Sequence, residues 1–357
     1  VKIFQVIQKP QARGVELFTC LLSEELQKRG HEVTLISIFE GEYHLPYSGK
    51  QIHLKRPLAN RLVDWKAWKA FAKLVEEEVP DIIQANAADT LKFTVFSKKL
   101  FGWKVPIIFR NASQVSLYIK NPWTRRFNEF LYGSVVGIAS VSKKSADDFG
   151  LVFNFEKLHK VIPIGINIPN KISNEPILEN PILVHIGGFT FEKNHSELID
   201  MYGNISKSFP NLTLWLLGDG PLKEKVTQKI HKLDLQSSVV FKGNVADPFQ
   251  SIPPNSILLL PSKIEGIPAV ILEAFANRIP VIAYDVGGIS EVLTKETGWL
   301  IPPGDQNAFI SAVQEVLQMD QTEKATILDQ AFKLVSDKYS IEKISKQFET
   351  FYLEVIL

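Results

Sequence analysis

Two glutamates, Glu265 and Glu273, stand with seven residues between them inside the segment 261–283. Carboxylates accept hydrogen bonds from paired hydroxyls, so two of them at one end of a strand suit a sugar or a ribose. An apolar run, Ile257 to Leu260, reads as a buried parallel strand, and Pro261 closes it. Glu265, Gly266 and Ile267 then form a loop at the strand's carboxyl end, where open α/β sheets bind their ligands. Pro268 suits the first position of a helix that runs on through Ala269, and Gly266 and Ile267 offer free backbone N–H groups ahead of it. A helix start of this kind holds a phosphate, and Glu273 falls on the second helical turn. The plainer account of either acid alone is a capping carboxylate stabilised by the helix dipole.

Further loops carry residues of the same kind. Gly188 and Lys193 stand between His185 and His195, just past an apolar run from Ile182. A lysine there offsets phosphate charge, and its ordinary alternative is a solvated loop lysine. His185 reads as a core residue and His195 as helix surface, neither as a catalyst. Gly218 sits in the turn Gly218–Pro221, which two glycines and a proline bend in any case. Asn244 and Val245 follow Phe241 and Gly243 past another strand, and Gly287–Glu291 opens a turn that serves equally well as a plain cap. Near the amino terminus, Arg13, Gly14 and Glu16 occupy the loop between the first strand and the first helix. Asn111 follows Arg110 at the end of another strand. It donates and accepts hydrogen bonds to hydroxyls but does not titrate near neutral pH, so histidine acid–base chemistry has no support there.

These loops need a frame, and 357 residues are enough for two domains of about 150 residues each. A hydrophobic share of 45% with 22% charged residues is ordinary for a soluble globular chain and excludes wholesale disorder. A single cysteine, Cys20, rules out an internal disulfide and suits a reducing cytoplasm; on an apolar helical face it reads as core. No apolar run approaches the roughly 18 residues that span a bilayer, and Val1–Ile7 lacks the length and cleavage site of a signal peptide. The net charge of +1 hides an asymmetry: residues 1–170 hold 24 Lys and Arg against 16 Asp and Glu, and the remainder 16 against 23. A basic first half implies an anionic partner on that side: membrane phosphate, a lipid-linked diphosphate, or a nucleotide. The stretch 117–132 interleaves Trp123, Arg125, Arg126 and Phe127 as an interfacial segment does. A helix that turns its aromatics inward is the competing arrangement. Nucleic acid fits poorly, since no recognition motif accompanies the dilute basic character.

Short β-rich runs alternate with amphipathic helices through the first half: Ile3–Ile7, Val33–Ile38, Ile82–Ala85, Ile107–Phe109 and Gly137–Val141. Between the first two, Val15–Arg29 sets Val15, Phe18, Leu22 and Leu26 on one helical face, with Gly30 as its stop. A polar stretch, 165–181, reads as a linker. The pattern then restarts with Ile182–Ile186, Leu212–Leu217, Val239–Phe241, Ile257–Leu260, Val281–Tyr284 and Trp299–Ile301, and a last helix spans roughly Ile341 to Leu357.

Segment 261–283 resembles the donor-sugar motif of retaining glycosyltransferases of family 4, an E-x(7)-E pair within P-S-x-x-E-G-x-P-x-x-x-L-E-A-x-A. The likeness runs over essentially the whole chain. Residues 185–195 are similar to that family's V-G-R-L-x-x-x-K-G segment, whose Arg and Lys neutralise the donor diphosphate. Lys193 falls on the lysine and Gly188 on the arginine, so one of two cations is missing. The turn at Gly218 resembles the family's G-x-G-P element, Phe241–Val245 its V-x-F-x-G-x-V element that reads the nucleobase edge, and Gly287–Glu291 its G-G-x-x-E start. At the amino terminus Gly14 and Glu16 match the family's G-G-A-E, with Arg13 in place of the first glycine.

The resemblance implies an α/β, GT-B fold: two Rossmann-like, doubly wound parallel-sheet domains facing a cleft. Residues 1–168 would form the acceptor side, 169–340 the nucleotide-sugar side, and 341–357 a helix crossing back to the first domain. It implies a retaining transfer of sugar from a nucleotide-diphosphate donor to a glycan or lipid-linked acceptor, in polysaccharide or glycolipid biosynthesis. In that scheme Glu273 holds the ribose, Lys193 the diphosphate, residues Gly266–Ala269 the phosphate and sugar, and Glu265 the sugar hydroxyls. Gly14 and Asn111 face the acceptor. No metal or other cofactor is expected, and the setting is cytoplasmic, on or near the inner face of a membrane. Two alternatives stand beside it: another GT-B sugar-nucleotide enzyme, an epimerase or phosphorylase, and a non-catalytic sugar-nucleotide-binding subunit.

Overall fold

The computed structural model describes residues 1–169, 181–245 and 247–356. Two compact units emerge, Val1–Ile166 with Ile341–Leu357, and Asn167–Ser340. The stretch 165–181 falls mostly outside the described residues.

The first unit runs β1 (Lys2–Ile7), α1 (Gly14–Lys28), β2 (Glu32–Phe39), β3 (Lys50–Arg56), α2 (Trp65–Glu78), β4 (Ile82–Ala85), α3 (Ala88–Phe101), β5 (Ile107–Asn111), α4 (Pro122–Gly133), β6 (Gly137–Ser140), α5 (Lys143–Val152) and β7 (Leu158–Val161). Its seven strands pair in parallel in the order β3-β2-β1-β4-β5-β6-β7. The five expected strands are the inner ones, where Ile and Val are covered on both faces. The two that the apolar pattern missed are the edges. β3 alternates Lys50, Gln51, His53, Lys55 and Arg56 with two apolar residues, and β7 holds His159 and Lys160, because an edge strand stays half in solvent.

Local chemistry sets the helix ends. Gly30 takes a φ of +89° where α1 stops, Asp64 accepts the Ala67 N–H at the start of α2, and Asn121 accepts the Thr124 N–H at the start of α4. Phe18, Leu22 and Leu26 of α1 are buried, as is Cys20, whose thiol burial pushes up to about 12.

The second unit runs β8 (Ile182–Ile186), α6 (His195–Ser208), β9 (Thr213–Leu217), α7 (Lys223–Lys232), β10 (Val239–Gly243), β11 (Ile257–Leu260), α8 (Ala269–Ala276), β12 (Val281–Tyr284), β13 (Trp299–Ile301), α9 (Gln306–Gln318) and α10 (Gln321–Lys338). Its six strands are also parallel, in the order β10-β9-β8-β11-β12-β13. The winding reverses between β8 and β11 here and between β1 and β4 in the first unit. Such reversals open a crevice at the carboxyl ends of the strands.

The last helix, α11 (Ile341–Ile356), belongs to the first unit and packs on α1. It buries Ile344, Phe348, Phe351 and Tyr352. The Tyr352 hydroxyl closes a buried ring of hydrogen bonds. Gln5 donates to it at 3.1 Å, it donates to Gln84 at 2.8 Å, Gln84 donates to Asn86 at 2.8 Å, and Asn86 donates back to Gln5 at 2.9 Å.

Candidate functional site

The loops after β8 and β11 straddle the reversal point of the second sheet, and they are tied together by the two groups expected to do chemistry. Lys193 Nζ donates to Glu265 Oε1 at 2.6 Å, with the side chains 22% and 10% exposed. Two more bonds hold the same loops in register. The Lys263 N–H donates to Glu192 O at 2.7 Å, and the Asn194 amide to Pro261 O at 3.1 Å. Asn194 itself sits in the left-handed region, which turns the chain into α6. Beyond Glu265, the N–H groups of Gly266 and Ile267 meet no acceptor among the described residues. The helix begins one residue later than expected. Pro268, with ψ at 127°, is the extended residue before α8, and Ala269 is its first member.

The glycines divide by what the fold asks of them. A Cβ on Gly218 would lie 2.2 Å from Gly187 O, and one on Gly287 would lie 1.8 Å from Glu265 O. Both residues have positive φ, so each is required for one loop to lie on the next. Gly288 N–H completes the second contact at 2.8 Å from Gly266 O. Gly188 differs: a Cβ there would meet nothing closer than Asp219 O at 3.5 Å, so packing leaves room for a side chain. Glu273, partly exposed on α8, has no ion pair among the described residues; burial, and then the charge of Asp247, push its carboxyl up to about 7. Asn244 lies exposed and Val245 half-buried after β10, whose last residue Gly243 accepts the Gly218 N–H at 2.7 Å.

The chain resembles known proteins in sequence and in fold. Residues 168–333 match the family model described as Glycosyl transferases group 1, and residues 12–169 match that of Glycosyltransferase Family 4. The chain belongs to the group 1 glycosyltransferases. It is 22% identical to the amylovoran biosynthesis glycosyltransferase AmsD of Erwinia amylovora, over 87% of this chain and 88% of that one. It is 26% identical to the Campylobacter jejuni N-acetylgalactosamine-N,N'-diacetylbacillosaminyl-diphospho-undecaprenol 4-alpha-N-acetylgalactosaminyltransferase, over 64% of each. The crystal structure of Anabaena HepE in complex with UDP and glucose is similar with a TM-score of 0.83 at 20% identity, covering 99% of both chains. The fold is therefore that of the GT-B glycosyltransferases, as the sequence resemblance implied.

In this glycosyltransferase the first unit holds the remaining candidates. Gly14 opens α1 with no atom within 4 Å of an added Cβ, and Arg13 beside it is exposed. Asn111 is buried, and its amide nitrogen is committed to Ser140 Oγ at 3.2 Å and Ser145 O at 3.3 Å. That bonding fastens β5 to the start of α5. Arg110, beside Asn111, is a buried cation lying over the Phe18 ring at 4.3 Å. Its Nε and Nη1 have no acceptor among the described residues; burial lowers its pKa to about 10, so it stays charged at neutral pH. A cavity of about 280 Å³ opens beside Pro10, lined in part by Glu40, Tyr43, His44 and His53.

The histidines of the second unit depart from expectation in one respect. His195 is not on the helix surface; it is buried at the start of α6, stacked on Phe189 at 4.0 Å and 4.5 Å from the His185 ring. The loop from β8 folds back over the sheet there, which a helical-wheel reading of α6 alone does not reveal. His185 bonds Leu259 O at 2.8 Å within the core. Among the described residues no group of three or more His, Cys, Asp or Glu is placed to hold a metal ion.

Proposed function

We propose that this group 1 glycosyltransferase is a retaining enzyme that takes its sugar from a nucleoside-diphosphate donor held on the second unit. The observation that carries the reading is the Lys193–Glu265 pair at 2.6 Å, set at the sheet's reversal point beside the unsatisfied N–H groups of Gly266 and Ile267. Cation, carboxylate and free amides are the three groups that a sugar diphosphate needs. On donor entry Lys193 exchanges its carboxylate partner for the diphosphate, and Glu265 turns its oxygens to sugar hydroxyls. Gly266 and Ile267 hold the phosphate, with Ala269 opening the helix behind them. Glu273 receives the ribose hydroxyls, and Asn244 and Val245 border the base.

Bond change is then a matter of position and charge. The bond from the anomeric carbon to the diphosphate oxygen breaks as the acceptor oxygen attacks from the same face, and the leaving phosphate takes the acceptor proton. Lys193 stabilises the charge that develops on the departing group. No step in this scheme calls on a metal. The acceptor, a glycan or a lipid-linked saccharide, is assigned to the first unit near Gly14 and the cavity beside Pro10. AmsD, named for amylovoran biosynthesis, and the undecaprenol-linked transferase support that class and a role in polysaccharide or glycolipid assembly. HepE with UDP and glucose supports a uridine nucleotide sugar.

The open space at Gly188 favours one second reading, a subunit that binds the nucleotide sugar without transferring it. Incubation with UDP-glucose and related donors in EDTA separates the two. Slow release of UDP and free sugar is the outcome expected of a transferase, with the α-configured sugar appearing first by NMR. Tight binding with no turnover identifies the binding subunit; turnover only with added Mg²⁺ overturns metal independence, and β-configured product overturns retention.

A further inference from the structure

Helix α3 of the first unit neighbours both α2 and α4, and the outward surface of the three is rich in rings. Trp65, at the start of α2, is 55% exposed and lies against Phe101 of α3 at 5.1 Å between centroids. Phe96 of α3 carries Trp68 of α2 at 5.3 Å, and Phe127 and Phe130 of α4 at 6.1 and 6.3 Å. Trp123, one turn before Phe127, is 79% exposed. Of the α4 aromatics only Tyr132 turns fully inward, with Leu131, while Trp123, Phe127 and Phe130 stay exposed. The apolar surface continues into Leu62 and Val63 ahead of α2 and Leu100 at the end of α3, all exposed.

Cations frame this surface. Lys66, Lys69, Lys99, Lys104, Lys120 and Arg126 are exposed, and none pairs with a carboxylate among the described residues. Several nearby acids are already engaged, Glu77 with Lys73, Glu129 with Arg125, and Asp64 with Arg56 and the α2 cap, while Glu76 near the end of α2 is exposed. Lys99 stands over the Phe130 ring at 5.9 Å. Burial, and then the like charges of Lys99, Lys104 and Lys157, hold Lys98 below the usual lysine range, as expected where positive charge accumulates.

We propose that this three-helix surface docks the first unit on an anionic lipid bilayer, its aromatics at headgroup depth and its cations on lipid phosphates. A second copy is the poorer occupant, because a twofold contact would set the same unpaired cations against themselves. Nucleic acid is poorer too, since a charged phosphate backbone would leave the exposed aliphatic groups of Leu62, Val63 and Leu100 in water. Among the described residues no helix is long and apolar enough to cross a membrane, so the contact is interfacial. Docking through this face involves no residue of the donor site and is independent of which sugar is moved.

The test is co-sedimentation with vesicles of equal phosphatidylglycerol and phosphatidylcholine in about 50 mM salt, where the Debye length is still above about 10 Å. The wild type should pellet with them, and at least tenfold less with phosphatidylcholine alone or in 0.5 M salt. Trp123→Ser with Phe127→Ser on α4, and separately Lys66→Glu with Lys99→Glu on α2 and α3, should each weaken binding at least tenfold. Each cation near an anionic leaflet contributes about fivefold in partition. All four positions are exposed, so thermal unfolding should match the wild type. Trp123→Phe should keep docking but lose part of the quenching by brominated lipid, the rest coming from Trp65. A wild type that stays in the supernatant overturns the proposal. So does unchanged binding of Lys66→Glu with Lys99→Glu, which confines the contact to α4, or a doubling of solution mass abolished by Trp123→Ser, which assigns the face to a second copy. Competition of an oligonucleotide for the same variants assigns it to nucleic acid.

Discussion

Glu273 and Lys193 meet the donor with different electrical preparation, and each difference is measurable. Glu273 is held near neutral pH, with its carboxyl raised to about 7 by burial and by Asp247. If it receives the ribose hydroxyls as a carboxylate, UDP affinity should be level above about pH 8 and fall toward tenfold per unit below 7. Glu273→Ala should weaken UDP binding by about 2–4 kcal/mol, roughly 30- to 800-fold, and remove that part of the pH slope. Calorimetry from pH 5.5 to 8.5 on both proteins cancels the titration of UDP itself; equal slopes would sink the assignment. Lys193 is instead paired at rest. Lys193→Ala strands Glu265, so about 1–3 kcal/mol of stability should be lost, and adding Glu265→Gln should return most of it. Turnover should stay low in both, falling by more than KM rises, because the lost charge acts as the bond breaks. A double variant that recovers turnover along with stability makes the pair merely structural.

At the scale of elements, α6 carries an acid-sensitive core. His185 and His195 are buried neutral, with burial lowering their pKa values to about 4 and about 2. The unfolded chain takes up these protons near pH 6.5, so the stability involved is present in full above that value. It is lost as pH falls towards the folded values. His195→Phe keeps the ring on Phe189 and removes two buried nitrogens that have no partner. It should melt like the wild type or slightly higher at pH 8 and several degrees higher at pH 5; a gap that does not widen on acidification removes His195 as the cause. In the sequence His185 reads as core but His195 does not, because the fold-back of the loop after β8 is tertiary. The inner strands were legible, since Ile257–Leu260 and Val281–Tyr284 are apolar on both faces and end at turn residues. β3 and β7 were not, because an edge strand shares its polar alternation with loops. The loop spacing named both Lys193 and Glu265, but their contact spans 72 positions, and no local pattern encodes it. Local pattern likewise cannot separate Gly218, which the fold requires, from Gly188, which it does not.

For the whole molecule, the decisive fact is that the first unit is completed by the last helix. α11 brings Glu349 to Arg29 and to His31 at 2.9 Å, and Glu354 to Lys160 at 2.6 Å, setting acids against a basic unit. Such partly exposed pairs contribute little each. Burial contributes far more: Ile341, Ile344, Phe348, Phe351 and Tyr352 are at most 1% exposed. At about 1.5–3 kcal/mol per buried side chain these five supply on the order of 10 kcal/mol, comparable to the whole stability of a domain. Ending the chain at Ser340 should therefore unfold the first unit while the second still binds UDP. Tyr352→Phe is the finer test, since it keeps the ring and deletes only the hydroxyl that joins Gln5 to Gln84. It leaves two buried amides short of a partner, at about 1–3 kcal/mol. Melting of the first unit should shift down, and UDP affinity measured by calorimetry should not change. A fall in UDP affinity would mean that the units are coupled in a way that the chain's division at residues 166 and 341 does not account for.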